Sequence, residues 1–489
     1  PSGMNNRSYL LFFVFLFFSL VVDAQKLQLT LRDIIQRSQD QSPSAKQAET
    51  VKENRYWQYR YFKTNYNPQL GLSGDVPSFS KDILATRQND GSLIFQPRTQ
   101  TNSNISFGLT QPLGLTGGTV YLLSDVYQFQ DYERTTTQWT SNILRLSVFQ
   151  PIFAFNSLKW QKRTEPIRFE ESKREYVEQM EFISRMAVDR FFSVLDAQIN
   201  LQIAQFNLAN NDTIYQIEKG RFNIGTTSED KLLQVELQLL RSRQDVAQAS
   251  LDFENAILRL KTFIGLNDNQ QVELAMPEVI PQFEIAVEQA LTYAKQNRAD
   301  FIAFERRRLE AERDVEQARK QRFQVNLSAS YGLNNRGDYL SDVYANPNSL
   351  QRVNINFDMP ILDWGRNKSR LQTALANQRL TDYVIAQDEV NFEQEIITQT
   401  KQFDMLLSSL EITKAADQVA QKRYEVAQNR YLIGKIDITN LNIALTEKDN
   451  AKRAYIGALE SYWQAYYDLR RLTLYDFQEN RLLYTPDVK

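Results

Sequence analysis

The residue types that most often carry out enzymatic chemistry are missing from this sequence. The chain of 489 residues contains no histidine and no cysteine, which removes the commonest general base and the usual ligands of zinc and copper. Carboxylates or a serine–lysine pair could still act, but no cluster of titratable residues has the spacing that such chemistry requires. The sequence therefore predicts a protein that is not an enzyme and that holds no metal or cofactor.

The charge composition is balanced. Lysine and arginine together number 57, aspartate and glutamate number 59, and the formal net charge is −2. A nucleic-acid-binding surface needs a concentration of positive charge, so we expect no nucleic acid among the partners.

The amino-terminal residues have the pattern of an export signal. Arg7 precedes an apolar run from Tyr9 to Val22, and Val22-Asp23-Ala24 resembles a signal-peptidase site. We expect residues 1–24 to be a signal peptide and the mature chain to begin near Gln25. An exported chain without cysteine has neither disulfides nor the cysteine of a lipid anchor, so packing must hold it together.

Two related copies of one unit make up most of the sequence. Under a shift of 209 residues, RFNIG at Arg221–Gly225 falls on RYLIG at Arg430–Gly434. An upstream portion repeats under a shift of 255, with Gln69 on Gln324. The difference between the shifts predicts an insertion of 46 residues (255 − 209) in the first copy, and the duplication predicts a pseudo-symmetric structure.

Short segments in both copies alternate apolar and polar residues, as strands with one apolar and one wet face do. They lie at Gln69–Gly74 and Leu144–Phe149 in the first copy and around Leu327 and Ile355 in the second. A strand crosses a bilayer with about nine tilted residues, and this length favours strands that span a membrane. The alternative is an amphipathic sheet packed on a soluble core. Four such strands cannot close a barrel, so several chains would share one.

The insertion adds two more alternating segments, Ile105–Gln111 and Val120–Phe129, joined by LGLTGG. Because this loop offers flexible turn residues, we expect the insertion to form a hairpin beyond the membrane or an enlarged external loop. Gly117 would then be accessible from outside the cell.

Between the repeated proline and glycine of each copy, apolar residues recur at spacings of three and four with almost no glycine. This pattern predicts a helix of 74 residues (225 − 151), which would rise about 110 Å. Pro166 predicts either a kink or a helix that begins near Glu165. A shorter helix follows each glycine turn, and the looser stretch Gly265–Glu284 predicts a non-helical belt beside the carboxyl-terminal tail.

These patterns divide the chain into a signal peptide, two repeats and a tail. The predicted boundaries are residues 1–24 for the signal peptide, 25–284 for the first repeat (a helix, strands 68–150 with the insertion, long helix 152–222, helix 228–263, equatorial segment 265–284), 285–474 for the second repeat (helices 285–321, strands 322–360, long helix 366–431, helix 438–472) and 475–489 for the tail.

The export signal, the duplicated helical units, QPIF and MPIL at the passages from strand to helix, and RFNIG and RYLIG at the helix turns together resemble the TolC-type outer-membrane efflux proteins. The resemblance implies a mainly α-helical homotrimer. About four strands per chain would form a twelve-stranded β-barrel in outer-membrane lipid, continuous with a long periplasmic coiled-coil barrel.

The same resemblance implies the function of a passive exit duct for a tripartite efflux pump or a type I secretion system. The duct would lie in the outer membrane with a periplasmic helical extension. Its partners would be a periplasmic adaptor (membrane fusion) protein and an inner-membrane transporter, and the transporter rather than the duct would select the exported substrate.

The resemblance assigns both glycine turns to the periplasmic tips, where relatives meet a hairpin of the adaptor. The expected docking residues are Arg221, Phe222, Ile224, Gly225, Arg430, Tyr431, Ile433 and Gly434. The alternative is that each glycine only ends a helix at positive φ, and both interpretations can hold.

Relatives often narrow the tunnel with carboxylates about six residues after the second tip glycine, where this chain has Asn440. The nearest acids are Glu229, Asp230 and Asp437, so the gate candidates are these three together with Asn440. The alternative for the acids is local capping, because carboxylates in a first helical turn favour the helix dipole.

Pro151, Phe155, Pro360 and Trp364 mark the expected passages from barrel to helix. Long helices alone would also suit a periplasmic coiled-coil adaptor or a structural protein. An adaptor should have one helical hairpin between two half-motifs, and two complete strand–helix copies argue against it.

Overall fold

The structure is a computed structural model that describes residues 27–266, 272–277 and 280–485. The expected signal peptide and its cleavage point near Gln25 lie outside these residues. The helices are α1 (Leu31–Gln41), α2 (Pro43–Thr64), α3 (Ser157–Asn223), α4 (Glu229–Ile264), α5 (Val287–Asn297), α6 (Ala299–Lys320), α7 (Arg366–Leu432) and α8 (Ile438–Thr473). The strands are β1 (Leu27–Leu29), β2 (Gln69–Arg87), β3 (Leu93–Leu113), β4 (Gly118–Asp131), β5 (Thr136–Ile152), β6 (Val272–Leu274), β7 (Gln324–Gly337), β8 (Asn348–Asp358), β9 (Tyr475–Asp476) and β10 (Arg481–Leu482).

Equivalent helices of the two copies have equal lengths. Helices α3 and α7 contain 67 residues each, and α4 and α8 contain 36 each. Both pairs begin 209 positions apart (366 − 157 and 438 − 229). Helices α1 and α5 contain 11 residues each, and α2 and α6 contain 22. The internal duplication expected from the sequence is therefore present in the structure.

The first long helix begins neither at residue 152 nor near Glu165. Strand β5 continues to Ile152, and Phe153 has a positive φ of 63° that a helix cannot contain. The Oδ1 atom of Asn156 accepts a hydrogen bond from the N–H of Lys159 at 3.0 Å and so caps the helix start at Ser157. The helix continues through Pro166, where one backbone hydrogen bond is lost.

The chain forms two compact units. One, here called the strand unit, comprises Lys52–Lys173 and Ala299–Phe392; the other, the helical unit, comprises the described residues of Pro1–Val51, Arg174–Arg298 and Glu393–Lys489. Helices α2, α3 and α7 contribute residues to both units.

The strand unit contains one antiparallel sheet of six strands in the order β2-β3-β4-β5-β7-β8. This count corrects the expectation of about four strands per chain. In the second copy β7 pairs directly with β8, whereas in the first copy the insertion places β3 and β4 between β2 and β5. The two predicted strands of the insertion, Ile105–Gln111 and Val120–Phe129, are thus not an appended external hairpin, because they are paired on both sides within the sheet.

One face of this sheet is apolar across its strands. A single row of directly paired residues crosses five strands in succession: Leu70, Leu109, Leu122, Leu146 and Tyr331. The adjacent row, on the opposite face, is largely polar, since it consists of Gln69, Thr110, Tyr121, Ser147, Ser330 and Arg352. Leu70 is 64% exposed and Tyr331 is 60% exposed, so no described part of the chain covers the apolar face at these positions.

The core of the helical unit includes side chains of α3 and α8, among them the fully buried Phe191, Phe192 and Tyr462. At the end of α8, Arg470 holds Glu181 through two hydrogen bonds of 2.8 and 3.0 Å and also pairs with Asp476 of β9. The tail residue Phe477 stacks on Phe283 of the equatorial segment at 6.3 Å between ring centroids. In the same unit β1 pairs in parallel with β6.

Candidate functional site

Both glycine turns end their long helix with the same hydrogen bonds. In the first turn the N–H of Thr226 donates to the carbonyl of Arg221, and in the second the N–H of Lys435 donates to Arg430, at 2.9 and 2.8 Å. Gly225 and Gly434 have φ values of 73° and 74°. This is the Schellman ending, in which a residue at positive φ completes the helix.

Glycine is required at these turns by backbone conformation alone. A Cβ atom added to Gly225 or Gly434 would meet no other atom within 4 Å. The interpretation of each glycine as a helix cap is therefore correct.

A polar contact joins the two turns inside the helical unit. The Tyr431 hydroxyl donates to Glu218 Oε1 at 2.7 Å, and Arg221 Nη1 donates to the same oxygen at 2.6 Å. The guanidinium of Arg221 also lies 5.4 Å from the centre of the Tyr431 ring. The structure thus brings together Arg221 and Tyr431, two residues expected at the docking site, through a glutamate that the sequence pattern did not indicate.

The electrostatics of this contact favour an ionised carboxylate. Burial acts to raise the pKa of Glu218, but hydrogen bonds from Tyr431, Arg221 and Thr227 hold that pKa below its ordinary value. Burial raises the pKa of the Tyr431 phenol, and its hydrogen bond to Glu218 raises that pKa further. Tyr431 is therefore a neutral donor to a charged acceptor, an arrangement stronger than a hydrogen bond between neutral groups.

Equivalent positions of the two turns differ in exposure. Tyr431 is only 2% exposed, because it packs in an apolar cluster, whereas its counterpart Phe222 is 39% exposed. That cluster consists of Ile214, Val235, Tyr424, Tyr431, Ile438, Leu441 and Leu445. Of the expected docking residues, Phe222, Ile224, Arg430 and Ile433 are exposed, Arg221 is half-buried and Tyr431 is buried.

A groove of about 490 Å³ separates the two turns. Its lining includes Arg221, Lys231, Tyr431, Lys435 and Asp437. The apolar side chains of Ile224 and Ile433, which are 75% and 66% exposed, belong to the turns on either side.

The gate candidates lie at the starts of the two shorter helices. Asp437 is the N-cap of α8, and its Oδ1 accepts hydrogen bonds from the backbone N–H and side-chain amide of Asn440 at 2.9 and 2.8 Å. Glu229 and Asp230 occupy the first turn of α4 and are exposed. The capping interpretation is correct for Asp437, and the structure brings Asp437 and Asn440 together.

The two strand-to-helix passages in the strand unit are built differently. Pro151 is part of β5 and Phe155 lies just before α3, whereas Pro360 and Trp364 both lie between β8 and α7. Trp364 has a positive φ of 51° and is 89% exposed. Asp363 caps the helix by accepting hydrogen bonds from the N–H groups of Gly365 and Asn367, both at 3.0 Å.

The turn between β3 and β4 lies at the end of the sheet where the helices attach. Asn156 Nδ2 donates to the carbonyl of Gly114 at 3.0 Å, and Gln111 Nε2 donates to the carbonyl of Tyr66 at 2.9 Å. Gly117 is therefore beside the start of α3, at the opposite end of the sheet from the β2–β3 turn at Gly91.

The sequence pattern missed a second buried charge in the helical unit. Lys448 lies 4.1 Å from the ring centre of Phe206 and 4.7 Å from that of Tyr424, and it pairs with Asp449 at 3.4 Å. Asn207 donates to Asp449 across 242 positions of sequence. Contacts between residues so far apart in sequence leave no local signal.

Within the described residues, no group of three or more histidine, cysteine, aspartate or glutamate side chains could hold a metal ion. In the same part of the chain, no helix is both long and apolar enough to span a membrane.

The sequence pattern of one protein family, described as outer membrane efflux protein, matches residues 113–266 and 290–473, which is more than half of the chain. The chain belongs to the outer membrane efflux protein family. The first matched stretch includes the Gly225 turn, and the second includes the Gly434 turn. At the level of sequence, no curated protein is a significant match.

Solved structures with the same fold include outer-membrane channels. The Campylobacter jejuni CmeC outer membrane channel is 17% identical, with a TM-score of 0.65 over 91% of this chain and 85% of that chain. The Vibrio cholerae outer membrane protein VceC is 15% identical, with a TM-score of 0.63 over 91% and 95%. The open state of the Neisseria gonorrhoeae MtrE outer membrane channel is 16% identical, with a TM-score of 0.62 over 93% and 91%.

The family assignment confirms the resemblance to TolC-type efflux proteins, and the similar structures confirm the mainly α-helical fold with a strand portion. As a member of this family, the protein is an efflux protein of the outer membrane. This function excludes the alternative of a periplasmic adaptor.

Proposed function

We propose that the protein is the passive, non-enzymatic exit duct of a tripartite export system, an efflux pump or a type I secretion system, and that it works as a homotrimer. The two glycine turns dock a periplasmic adaptor, which connects the duct to an inner-membrane transporter. The repeat boundaries predicted from the sequence describe the two halves of each chain in this assembly.

The sheet supports an assembly of several chains. Its outer strands, β2 and β8, each have a neighbour on one side only. In a bilayer, the unpaired N–H and C=O groups of such an edge would cost several kcal/mol each. Pairing with further copies of the chain removes both edges.

The observation that carries the docking role is the exposure of apolar side chains at two rigid turns. Ile224 and Ile433 are 75% and 66% exposed although each lies beside a completed helix cap. The buried Tyr431–Glu218 contact fixes the turns relative to each other within the helical unit. Apolar anchors beside a polar groove are typical of a protein-binding surface.

In-cell photo-crosslinking tests this role. A photoreactive amino acid replaces Ile433, and adducts are identified by mass spectrometry. The control is Ile412, which is 69% exposed on the same helical hairpin but 21 positions away (433 − 412). We expect an adduct with a periplasmic adaptor at position 433 and none at position 412. The same adduct at both positions, or at neither, would refute docking at the turns.

We also assign the exposed acids at the helix starts to the gate of the closed duct. In a threefold assembly Asp437 would supply three carboxylates, with Glu229, Asp230 and Asn440 nearby. Asp437→Asn keeps an oxygen that can cap α8 but removes the charge. In planar bilayers this variant should lose cation selectivity while its trimer stays intact. Unchanged selectivity would exclude Asp437 from the gate.

A further inference from the structure

The inserted strand β4 continues the apolar face of the flanking strands. Leu122 of β4 is paired on one side with Leu109 of β3 and on the other with Leu146 of β5. Two residues along, Val120 is paired with Val148, which is itself paired with Ala329 of β7. The insertion therefore adds to the apolar band instead of covering it.

The opposite face of the same strand carries a paired charge. Asp125 accepts a hydrogen bond from Asn142 Nδ2 at 2.6 Å and lies 3.5 Å from Arg145 Nη2. Leu123, next to Leu122, lies on this face between Gly108 and Arg145. A strand with one lipid-compatible face and one charged face has the alternation of a membrane barrel strand with its polar side toward water.

The direction of the outer strands allows a second copy to continue the sheet. Strand β2 leaves the end of the sheet where the helices attach, and β8 returns to that end. When β8 of one copy lies beside β2 of the next, the two strands are antiparallel, like every other pair in the sheet. Because each chain contributes an even number of strands, every strand in a closed barrel is antiparallel to both of its neighbours.

We propose that all six strands of each chain, including β3 and β4 from the insertion, belong to the transmembrane wall. The trimer then forms a barrel of eighteen strands in which β8 of each copy pairs with β2 of the next. This inference rests on the proposed homotrimer. Because barrel size grows with strand number at a spacing of about 4.8 Å, the circumference is about 1.5-fold that of a twelve-stranded barrel.

Lipid-phase quenching tests whether β4 faces the bilayer. The chain contains no cysteine, so Leu122→Cys and Leu123→Cys each introduce a single site for a small fluorophore. These neighbours lie on opposite faces of one strand, and Leu146→Cys and Val353→Cys report on strands outside the insertion. The labelled trimers are reconstituted in vesicles of lipid brominated near the middle of the acyl chains.

We expect bromolipid to quench the label at position 122 as strongly as those at 146 and 353, and to leave position 123 at least about 3-fold less quenched. Quenching at 146 and 353 without quenching at 122 would overturn the six-strand wall but leave the proposed duct standing. The absence of quenching at all three positions would overturn the membrane barrel itself.

Counting strands gives an independent measurement that needs no substitution. A cryo-electron microscopy reconstruction of the trimer in lipid nanodiscs should show eighteen strands in cross-section at the level of Leu122. Twelve strands in a trimer would contradict the proposal even if the labelled variants failed to assemble.

Discussion

The hydroxyl of Tyr431 donates a hydrogen bond of 2.7 Å to Glu218, and the two residues belong to different copies of the repeat. Under the shift of 209, the position equivalent to Glu218 is Ala427 and the position equivalent to Tyr431 is Phe222. Neither equivalent residue could make this contact. The two turns have therefore diverged into complementary halves of one tip.

Two tyrosines of α7 should respond differently to the loss of their hydroxyl. Tyr431 donates to a charged carboxylate, whereas the Tyr424 hydroxyl is buried without a hydrogen-bond partner among the described residues. Tyr431→Phe should destabilise the turns by about 1–3 kcal/mol, and Tyr424→Phe should be neutral or slightly stabilising. Hydrogen exchange of peptides covering both turns in the intact trimer measures the two effects. Equal losses of protection would contradict the role of the Tyr431 contact.

The stability of the tip should decrease in acid. Because the pKa of Glu218 is depressed in the folded state, its contribution is fully present above the ordinary glutamate value and is lost as the pH falls through the depressed pKa. Tyr431→Phe removes one bond to the charged form and so raises the folded-state pKa of Glu218, which should make the loss smaller and complete it at a higher pH in that variant. Hydrogen exchange between about pH 3 and pH 6, corrected for intrinsic rates, checks this. Identical pH profiles in the two proteins would show that the contact does not stabilise the carboxylate.

Glycine-to-alanine substitutions at the turns should have a different effect from one inside the helix. Alanine at Gly225 or Gly434 must adopt positive φ, at a local cost of about 1 kcal/mol. Gly220 lies inside α3, and a Cβ atom added there would also meet no other atom within 4 Å, so Gly220→Ala should stabilise the helix by up to about 1 kcal/mol. Trimer yield should be normal for all three variants, with adaptor crosslinking reduced only by the turn variants. Full crosslinking in a Gly225 and Gly434 double variant would argue against docking at the turns.

The sequence predicted the features that depend on local pattern and on duplication. RFNIG and RYLIG indicated two glycine-capped turns, and the alternation within Val120–Phe129 indicated a strand. The strands of the insertion and the turn LGLTGG between them were predicted, but their place within the sheet was not. The position of β4 is instead set by pairing with β3 and β5, which alternation in one segment does not reveal. The Glu218–Tyr431 contact spans 213 positions, so no local pattern could have indicated it.

The two ends of the sheet should differ in accessibility. Gly91 and Gly117 are both turn glycines at positive φ, but they lie at opposite ends of the strands. An epitope inserted at Gly91 should bind antibody on intact cells, whereas one at Gly117 should bind only after the outer membrane is permeabilised. Binding at Gly117 on intact cells would place that turn outside and restore the external-loop interpretation.

The location and mass of the native assembly bear most directly on the proposed duct. Inner and outer membranes are separated on a density gradient, and the mass of the extracted protein is measured by native mass spectrometry in detergent. We predict recovery in the outer-membrane fraction at the mass of three chains. Recovery as a soluble periplasmic monomer would contradict both the membrane sheet and the trimeric duct.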